Sequence, residues 1–208
     1  MRIVIPGEVV AERPERMENT YIQEGRTYAK VLGMYDSNGR GIIPLEGAWM
    51  PRSDDTVVGI VSEVRNKVYV IDLSYFGRSL LIPGKYEEYS FSVGDVIEAR
   101  IKEVENRRTI ILSEAKPLSE GTVMSVKPRK VLRIIGKKNT MVNQIAGFTK
   151  TSIIVGLNGL IWLRGGDIGL ASEAIRRVER EAHVSGLTET IRRYLEEKTG
   201  TKREMETG

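Results

Sequence analysis

A short basic stretch near the middle of the chain carries the side chains best suited to binding an anion. Between residues 127 and 150 the sequence holds seven Lys or Arg and no Asp or Glu. Such a surface attracts polyanions, and phosphate backbones are the obvious partners. Ile134 and Ile135 end an apolar helical turn, residues 136–139 read Gly-Lys-Lys-Asn, and Met141 restarts an apolar helical face. The stretch is therefore predicted to be helix, basic loop, helix.

This layout resembles the KH domain, whose Gly-x-x-Gly loop clamps about four nucleotides of single-stranded nucleic acid. The fourth loop position is Asn139 where the KH pattern has Gly. Asn tolerates a left-handed backbone, but its side chain adds bulk where a nucleic-acid backbone would approach. The resemblance implies RNA contacts by five residues, namely Arg133, Gly136, Lys137, Lys138 and Asn139. In the alternative interpretation, Gly136 and Asn139 only shape a turn between two helices.

Composition excludes several kinds of site. The chain has 208 residues, 40% of them hydrophobic, and no apolar run as long as a membrane span. It has no Cys and a single His, His183. Disulfides, thiolate metal sites, His-based metal cages and Ser-His-Asp triads therefore cannot be assembled within one chain. A soluble, cytoplasmic protein without a cofactor is expected.

The elements around the basic stretch predict the complete order β-α-α-β-β-α. Thr122–Val126 is a strand, and Thr151–Val155 with Leu160–Leu163 forms a hairpin. Its turn, Gly156-Leu157-Asn158-Gly159, is expected to use Asn158 and Gly159 as a positive-φ pair. Asp167 is expected to cap a helix that runs to about His183, and Leu187 opens one extra C-terminal helix. This is the element order of a KH domain, with Trp162 expected in its core.

Residues 54–116 contain five runs with strand character in about 60 residues, which favours a small closed barrel. The runs V-V-G-I-V-S-E-V, Y-V-I-D-L and F-S-V-G-D-V-I-E-A-R-I-K resemble the S-one type of OB fold. OB barrels stack bases on aromatic side chains while nearby cations hold the phosphates. The candidates are Tyr69, Tyr75 and Phe76, with Arg65, Lys67, Arg78 and Lys85. The alternative is a barrel that serves only as a scaffold.

Residues 1–53 alternate short β-type runs with turn signals such as Asn38-Gly39, which predicts a small β sheet. Few large apolar residues are present, so this N-terminal β module either leans on a neighbour or partner or is a small self-sufficient unit. The predicted domains are thus 1–53, 54–116 and 117–208, with net charges of 0, −2 and +6. The chain is expected to be multidomain, mainly β and then α+β, with its excess positive charge in the C-terminal part and with local rather than nonspecific recognition of nucleic acid.

The three modules in this order, with the Gly-x-Asn-Gly hairpin at 156–159, resemble the archaeal RNA exosome cap subunit of the S-one/KH type. The resemblance covers essentially the whole chain. It implies a noncatalytic subunit of a trimeric cap, built from copies of this chain or of the zinc-ribbon cap subunit. The cap would sit on a phosphorolytic ring of RNase PH-like subunits, docked through the N-terminal module. It would bind single-stranded RNA and guide its 3′ end into the pore for 3′-to-5′ degradation.

Two further hypotheses remain open at this level. A free-standing metal-dependent nuclease could use Asp54, Asp55 and Asp95, although Asp54 and Asp55 stand at the opening of a strand and no acidic metal cluster is evident. Alternatively, the chain could be a translation-type RNA-binding protein or chaperone that never joins an assembly.

Overall fold

The computed structural model describes residues 2–36, 41–44, 49–84, 89–105, 109–182, 184 and 186–200. The chain forms two compact units, residues 1–48 and residues 49–208. None of the described helices is long and apolar enough to cross a membrane. Asn38-Gly39, Lys85 and His183 lie outside the described residues, so the predictions made for them stay predictions.

In the described residues of the first unit, six short strands form two antiparallel sheets, with orders β1-β5-β6 and β2-β4-β3. The strands are β1 Arg2–Val4, β2 Val9–Ala11, β3 Thr20–Gln23, β4 Arg26–Ala29, β5 Gly33–Asp36 and β6 Gly41–Pro44. The sequence predicts one small sheet, with strand-type runs at residues 2–5, 8–10, 27–32 and 41–45, and it predicts neither β3 nor β5. The buried core consists of Val4, Val10, Ala29 and Ile42. A core this small agrees with the sparse apolar content of the segment.

The first part of the second unit is a closed five-stranded barrel in the order β10-β11-β9-β8-β7, which confirms the predicted OB-type architecture. Its strands are β7 Thr56–Arg65, β8 Val68–Asp72, β9 Arg78–Leu81, β10 Val96–Glu105 and β11 Thr109–Pro117. The parallel pairing of β9 with β11 closes the barrel. Alternate residues point inward, as in Val57, Ile71, Leu81, Ile97 and Ile110, and fill the interior.

The second part has the predicted KH order followed by an extra helix. Its elements are β12 Thr122–Ser125, α1 Val131–Ile135, α2 Thr140–Thr149, β13 Ser152–Val155, β14 Leu160–Arg164, α3 Ile168–Arg180 and α4 Leu187–Thr199. The sheet order is β12-β14-β13. Ile161 and Leu163 of β14 pack under the helices, whereas Leu160 and Trp162 pack against Val58 of the barrel. The alternation of β14 thus buries both faces of the KH sheet, and Trp162 is a core residue as predicted.

The two C-terminal helices pack on each other and complete the KH core. Asp167 caps α3 as predicted, since its Oδ1 accepts the Leu170 N–H at 2.8 Å. The helix ends at Arg180, a little before the predicted end near residue 183.

The Arg177 guanidinium lies 4.9 Å from the centre of the Tyr194 ring on α4. Burial, together with the Glu173 carboxylate, raises the pKa of Tyr194 to about 12.

Candidate nucleic-acid interface

Residues Gly136 to Asn139, between α1 and α2, form the loop called the KH loop below. Its backbone has positive φ at three positions, with values of 75° at Gly136, 51° at Lys138 and 63° at Asn139. A Cβ atom at Gly136 would lie 2.7 Å from the Met141 amide nitrogen, which is too close for any side chain. Gly136 is therefore required by both its backbone angle and its surroundings. Asn139 adopts the left-handed conformation that its residue type tolerates.

The KH loop presents donors and positive charge on one exposed surface. Lys137 and Lys138 are both exposed. Asn139 precedes α2 without a side-chain capping hydrogen bond, and no acidic residue lies in the first turn of that helix. The first N–H groups of an α-helix have no partner within the helix, and the helix dipole makes this end positive. The loop and the start of α2 together suit an anion such as a phosphodiester.

Arg133 lies on α1, yet its donors are used within the fold. Its Nε donates to the Ala182 carbonyl oxygen at 2.7 Å, and its Nη2 donates to the Val184 carbonyl oxygen at 3.1 Å. Both carbonyls belong to residues beyond the end of α3 at Arg180, so the guanidinium ties α1 to the segment that follows that helix. The sequence grouped Arg133 with the RNA-binding cations, whereas the structure gives it this contact with the segment between α3 and α4.

Replacing Asn139 with Gly should tighten RNA binding. Gly accepts the same left-handed backbone and removes the side chain nearest the anion surface, so one more backbone contact to phosphate becomes accessible. A single such hydrogen bond corresponds to roughly 1 kcal/mol, or about a fivefold lower dissociation constant. The stability loss from added unfolded-state entropy should not exceed about 1 kcal/mol. Titration of the full-length wild-type and variant chains with a short single-stranded RNA measures the change. Equal dissociation constants would identify the loop as a structural turn.

The three described barrel cations that were predicted to bind RNA lie at opposite ends of strand β8. Arg65 and Lys67 flank the turn between β7 and β8, where Asn66 and Lys67 have φ of 46° and 67°. Arg78 opens β9 after the loop at the other end of β8. Because β8 has five residues, its ends are roughly 17 Å apart. The structure therefore does not bring Arg65 and Lys67 together with Arg78. Arg65 is 72% exposed and pairs with Glu63.

Tyr69 is a core residue of the barrel. Only 5% of its surface is exposed. Its hydroxyl donates to the Tyr89 carbonyl oxygen at 2.6 Å, and its ring meets that of Phe91 edge-on with centroids 5.5 Å apart. A ring buried in this way offers no face on which a base could stack, so Tyr69 is best assigned to the support of the barrel wall.

Residues Leu73 to Gly77, between β8 and β9, form the loop called the barrel loop below. It places the other two predicted aromatics side by side, with the ring centroids of Tyr75 and Phe76 4.3 Å apart. Tyr75 is half-buried, whereas Phe76 is 77% exposed. Arg78, also exposed, follows two residues later. An exposed ring and an exposed cation in one loop region are the residue types with which barrels of this type hold a base and its phosphate.

The hairpin at residues 156–159 contacts the barrel wall through the carboxamide of Asn158. Its Nδ2 donates to the carbonyl oxygens of Val58 at 2.8 Å and Leu73 at 3.0 Å. Its Oδ1 accepts the Val58 N–H at 3.2 Å. With 4% exposure, this side chain is fully bonded and buried between the barrel and the KH sheet. The hairpin is therefore a structural joint, and its Asn158 is not available to a ligand.

The backbone of the same hairpin differs from the predicted turn. Only Gly159 has a positive φ, of 90°, so the prediction of a positive-φ pair is wrong for Asn158. The Gly159 N–H closes the turn by donating to the Gly156 carbonyl oxygen at 2.9 Å. A Cβ atom at Gly156 would lie 2.5 Å from the Val58 nitrogen, which requires Gly where the hairpin meets the barrel.

The carboxylates that a metal-dependent nuclease would use do not converge. The Ile101 N–H donates to the Asp55 carbonyl oxygen, whereas the Val61 N–H donates to that of Asp95. These contacts lie at opposite ends of the pairing between β7 and β10. Asp54, beside Asp55, is 3.7 Å from an Arg100 nitrogen. In the described part of the chain, no group of three His, Cys, Asp or Glu residues could hold a metal ion.

Known proteins resemble this chain over nearly its whole length. Residues 1–46 match the N-terminal domain of the exosome RNA-binding protein RRP4, and residues 121–169 match the KH domain. The chain is 32% identical to the exosome complex component Rrp4 of Pyrococcus horikoshii over 219 aligned residues, which cover 93% of this chain and 82% of that protein. This chain belongs to the Rrp4 family of exosome complex components. The Rrp4 of Picrophilus torridus is 33% identical, with 96% and 94% of the two chains covered.

The fold of this Rrp4 family member also matches a solved structure. A crystal structure assigned to an exosome complex RNA-binding protein superposes with a TM-score of 0.62 and 25% sequence identity. The superposition covers 73% of this chain and 97% of the other. Together with the two matched domains, this structural similarity agrees with the predicted order of N-terminal module, barrel and KH domain.

Sequence reasoning missed one residue beside the candidate interface of this Rrp4 family member. The indole of Trp49 meets the Tyr75 ring edge-on, with centroids 5.6 Å apart and planes at 77°. A signal was present, because the chain has only two Trp residues and Trp49 stands just before the first barrel strand. A half-buried Trp at such a place usually packs on a neighbouring element.

Proposed function

We propose that this chain is a noncatalytic RNA-binding cap subunit of an exosome. It binds single-stranded RNA and guides the 3′ end into the pore of a phosphorolytic ring of RNase PH-like subunits. The RNA-binding part rests on the KH loop, where Lys137 and Lys138 stand exposed beside the uncapped start of α2. The exosome part is supported by membership of the Rrp4 family over 93% of the chain.

Within this proposal, the N-terminal module of residues 1–53 docks on the ring. Its described core has four buried apolar residues, yet it exposes Ile3 by 64% and Ile5 by 59%. Tyr21 and Ile22 are also more than one-third exposed. Apolar side chains left in solvent by so small a module are suited to a permanent protein partner. Copies of this chain, or of the zinc-ribbon cap subunit, complete the trimeric cap.

The barrel and the KH domain act in this proposal as one rigid RNA guide. Val58, Leu160 and Trp162 form a buried cluster between them, and the Asn158 hydrogen bonds cross the same junction. The barrel loop and the KH loop are thus held at a fixed separation. Two weak contacts on one strand reinforce each other when their spacing is fixed, because the second contact forms at high effective concentration.

The salt dependence of RNA binding tests the KH loop directly. If Lys137 and Lys138 neutralise phosphates, replacing both with Ala should flatten the plot of log affinity against log salt. Single strands lose about 0.7 in slope for each phosphate contact, so the expected change is about one unit for two imperfect contacts. Fluorescence anisotropy of a labelled single-stranded RNA at several salt concentrations measures this slope.

A matched control removes the same charge elsewhere. Lys102 and Lys116 are exposed on barrel strands β10 and β11, and their double Ala variant should keep the wild-type slope. Equal slopes for all three proteins would exclude the KH loop from the RNA site and leave the barrel as the binding element. Equal flattening in both double variants would indicate attraction by net charge alone.

The same surfaces could serve an RNA chaperone of the translation type that acts alone. This second candidate is favoured by one observation, namely that the barrel and the KH domain have well-filled cores of their own. Purification of the chain from an archaeal lysate under native conditions separates the two. Stoichiometric recovery of RNase PH-like subunits is expected for the cap subunit, whereas recovery of the chain with RNA alone would support the chaperone.

A further inference from the structure

The barrel loop carries the most exposed aromatic side chain described in the chain, Phe76 at 77% exposure. An isolated exposed Phe on a flexible loop would contribute little to binding, because ordering it on contact costs conformational entropy. The residues that precede Phe76 are each fixed to a different part of the structure. These contacts fix the backbone that leads to the ring.

Three contacts fix the start of the loop. The Leu73 side chain is buried in the barrel, and its carbonyl oxygen accepts from Asn158 Nδ2 at 3.0 Å. Ser74 has a left-handed backbone with φ of 54°. The Asp72 Oδ1 accepts the Ser74 N–H at 2.8 Å, which stabilises that conformation as an Asx turn. Contacts with both the barrel and the KH hairpin thus fix the course of the backbone that leads to Tyr75.

The last contact is aromatic and reaches Phe76 itself. Trp49 meets the Tyr75 ring edge-on at 5.6 Å, and the Tyr75 ring also contacts that of Phe76, with centroids 4.3 Å apart and planes at 43°. Edge-on and tilted aromatic pairs at these separations are favourable. Tyr75 is half-buried between the two, so the ring available to a ligand is that of Phe76. Arg78 stands two residues further on, where a phosphate next to a stacked base could be held.

We propose that Trp49 is a positioning residue that holds, through Tyr75, the Phe76 ring as a platform for one base of single-stranded RNA. This inference rests on the proposed RNA-binding function and assigns distinct roles within it. Phe76 contacts the base, Arg78 contacts the phosphate, and Trp49 touches neither. A preorganised ring binds more tightly than a mobile one because no side-chain entropy is lost on stacking.

Fluorine NMR tests the positioning without RNA. The chain has three Phe residues, so labelling with 4-fluorophenylalanine gives three signals, and Phe76→Leu identifies the one from Phe76. In Trp49→Leu this signal should move towards the position of free fluorophenylalanine, while those of Phe91 and Phe148 stay in place. Trp49→Tyr, which keeps an aromatic edge without adding a fourth Phe, should restore the wild-type position. An unmoved Phe76 signal in Trp49→Leu would overturn the role of Trp49.

RNA titration with a short labelled oligoadenylate then tests the platform. Phe76→Leu should weaken binding by about five- to hundredfold, the usual range for loss of one stacked base. Trp49→Leu should weaken it by about threefold or more in the wild-type background and not at all in the Phe76→Leu background. Equal losses in both backgrounds would overturn the inference and leave RNA binding intact. If Phe76→Leu binds as tightly as wild type, the barrel loop is not an RNA contact, whatever the NMR shows for Trp49.

Discussion

Replacing Asn158 with Ala should destabilise the unit of residues 49–208 by on the order of 4 kcal/mol. The variant removes the donor for the Val58 and Leu73 carbonyl oxygens and the acceptor for the Val58 N–H. All three groups would stay buried without partners, and each unsatisfied buried group costs roughly 1–3 kcal/mol. For a unit of this size the corresponding fall in Tm is about 8–16 °C. Urea denaturation and thermal melts of the full chain measure both quantities.

An exposed Asn in the same domain supplies the control. Asn143 lies on the solvent side of α2, and Ala is a better helix former than Asn, so Asn143→Ala should leave the stability unchanged or slightly raised. A melting temperature of Asn158→Ala close to that of wild type would contradict the account of the hairpin as the joint between barrel and KH domain. Two separate transitions in Asn158→Ala would support it, since the joint would then have been what made the two parts unfold together.

The barrel and the KH order could be predicted because their signals are local. The strands of the barrel alternate inward and outward residues over five to ten positions, as in the inward-pointing Val57, Ile71 and Ile97. The helices of the KH domain follow apolar stripes, and Asp167 marks the start of α3. In the N-terminal module, Thr20–Gln23 and Gly33–Asp36 were missed because neither shows such alternation and both are only four residues long.

The interface was harder to predict because sequence distance is a poor guide to spatial distance. Arg65, Lys67 and Arg78 lie within 14 residues of the chain, yet β8 carries the first two to the opposite end of the barrel from the third. Asn158 and Val58 are 100 residues apart and share two hydrogen bonds. The apolar periodicity of the sequence gives no sign of a contact between residues so far apart. The Gly-x-Asn-Gly motif showed that the hairpin was special without showing that its side chain faces the barrel.

The basic segment illustrates a second limit, because charge does not reveal what a side chain contacts. Arg133 and Lys137 are four residues apart in one uncompensated run of cations. Arg133 lies on α1, whose neighbour is the end of α3, and its guanidinium reaches two carbonyls there. Lys137 lies past the left-handed turn at Gly136 and is directed to solvent. The turn therefore separates a cation with a structural contact from a cation suited to RNA.

Replacing Arg133 with Ala should consequently affect stability rather than the electrostatics of RNA binding. The Ala182 carbonyl oxygen, in a buried residue, would lose the charged donor at 2.7 Å, whereas the Val184 carbonyl oxygen, in an exposed residue, can turn to water. Hydrogen bonds to charged groups are worth roughly 1.5–3 kcal/mol, so a loss of about 2 kcal/mol is expected. This corresponds to a fall in Tm of about 4–8 °C. Thermal melts in parallel with the salt titration measure both effects.

Comparison with the KH loop variant distinguishes a structural role of Arg133 from a role in RNA binding. Arg133→Ala should keep the wild-type slope of log affinity against log salt, whereas the Lys137 and Lys138 double variant should flatten the slope and leave the Tm within a degree or two of wild type. Arg129, exposed on the turn before α1, serves as the stability control, because its Ala variant removes the same charge but not the hydrogen bonds of Arg133 to the segment after α3. A flattened slope at unchanged Tm for Arg133→Ala would identify Arg133 as an RNA contact. A guanidinium that serves only the fold cannot alter the number of ions released when RNA binds.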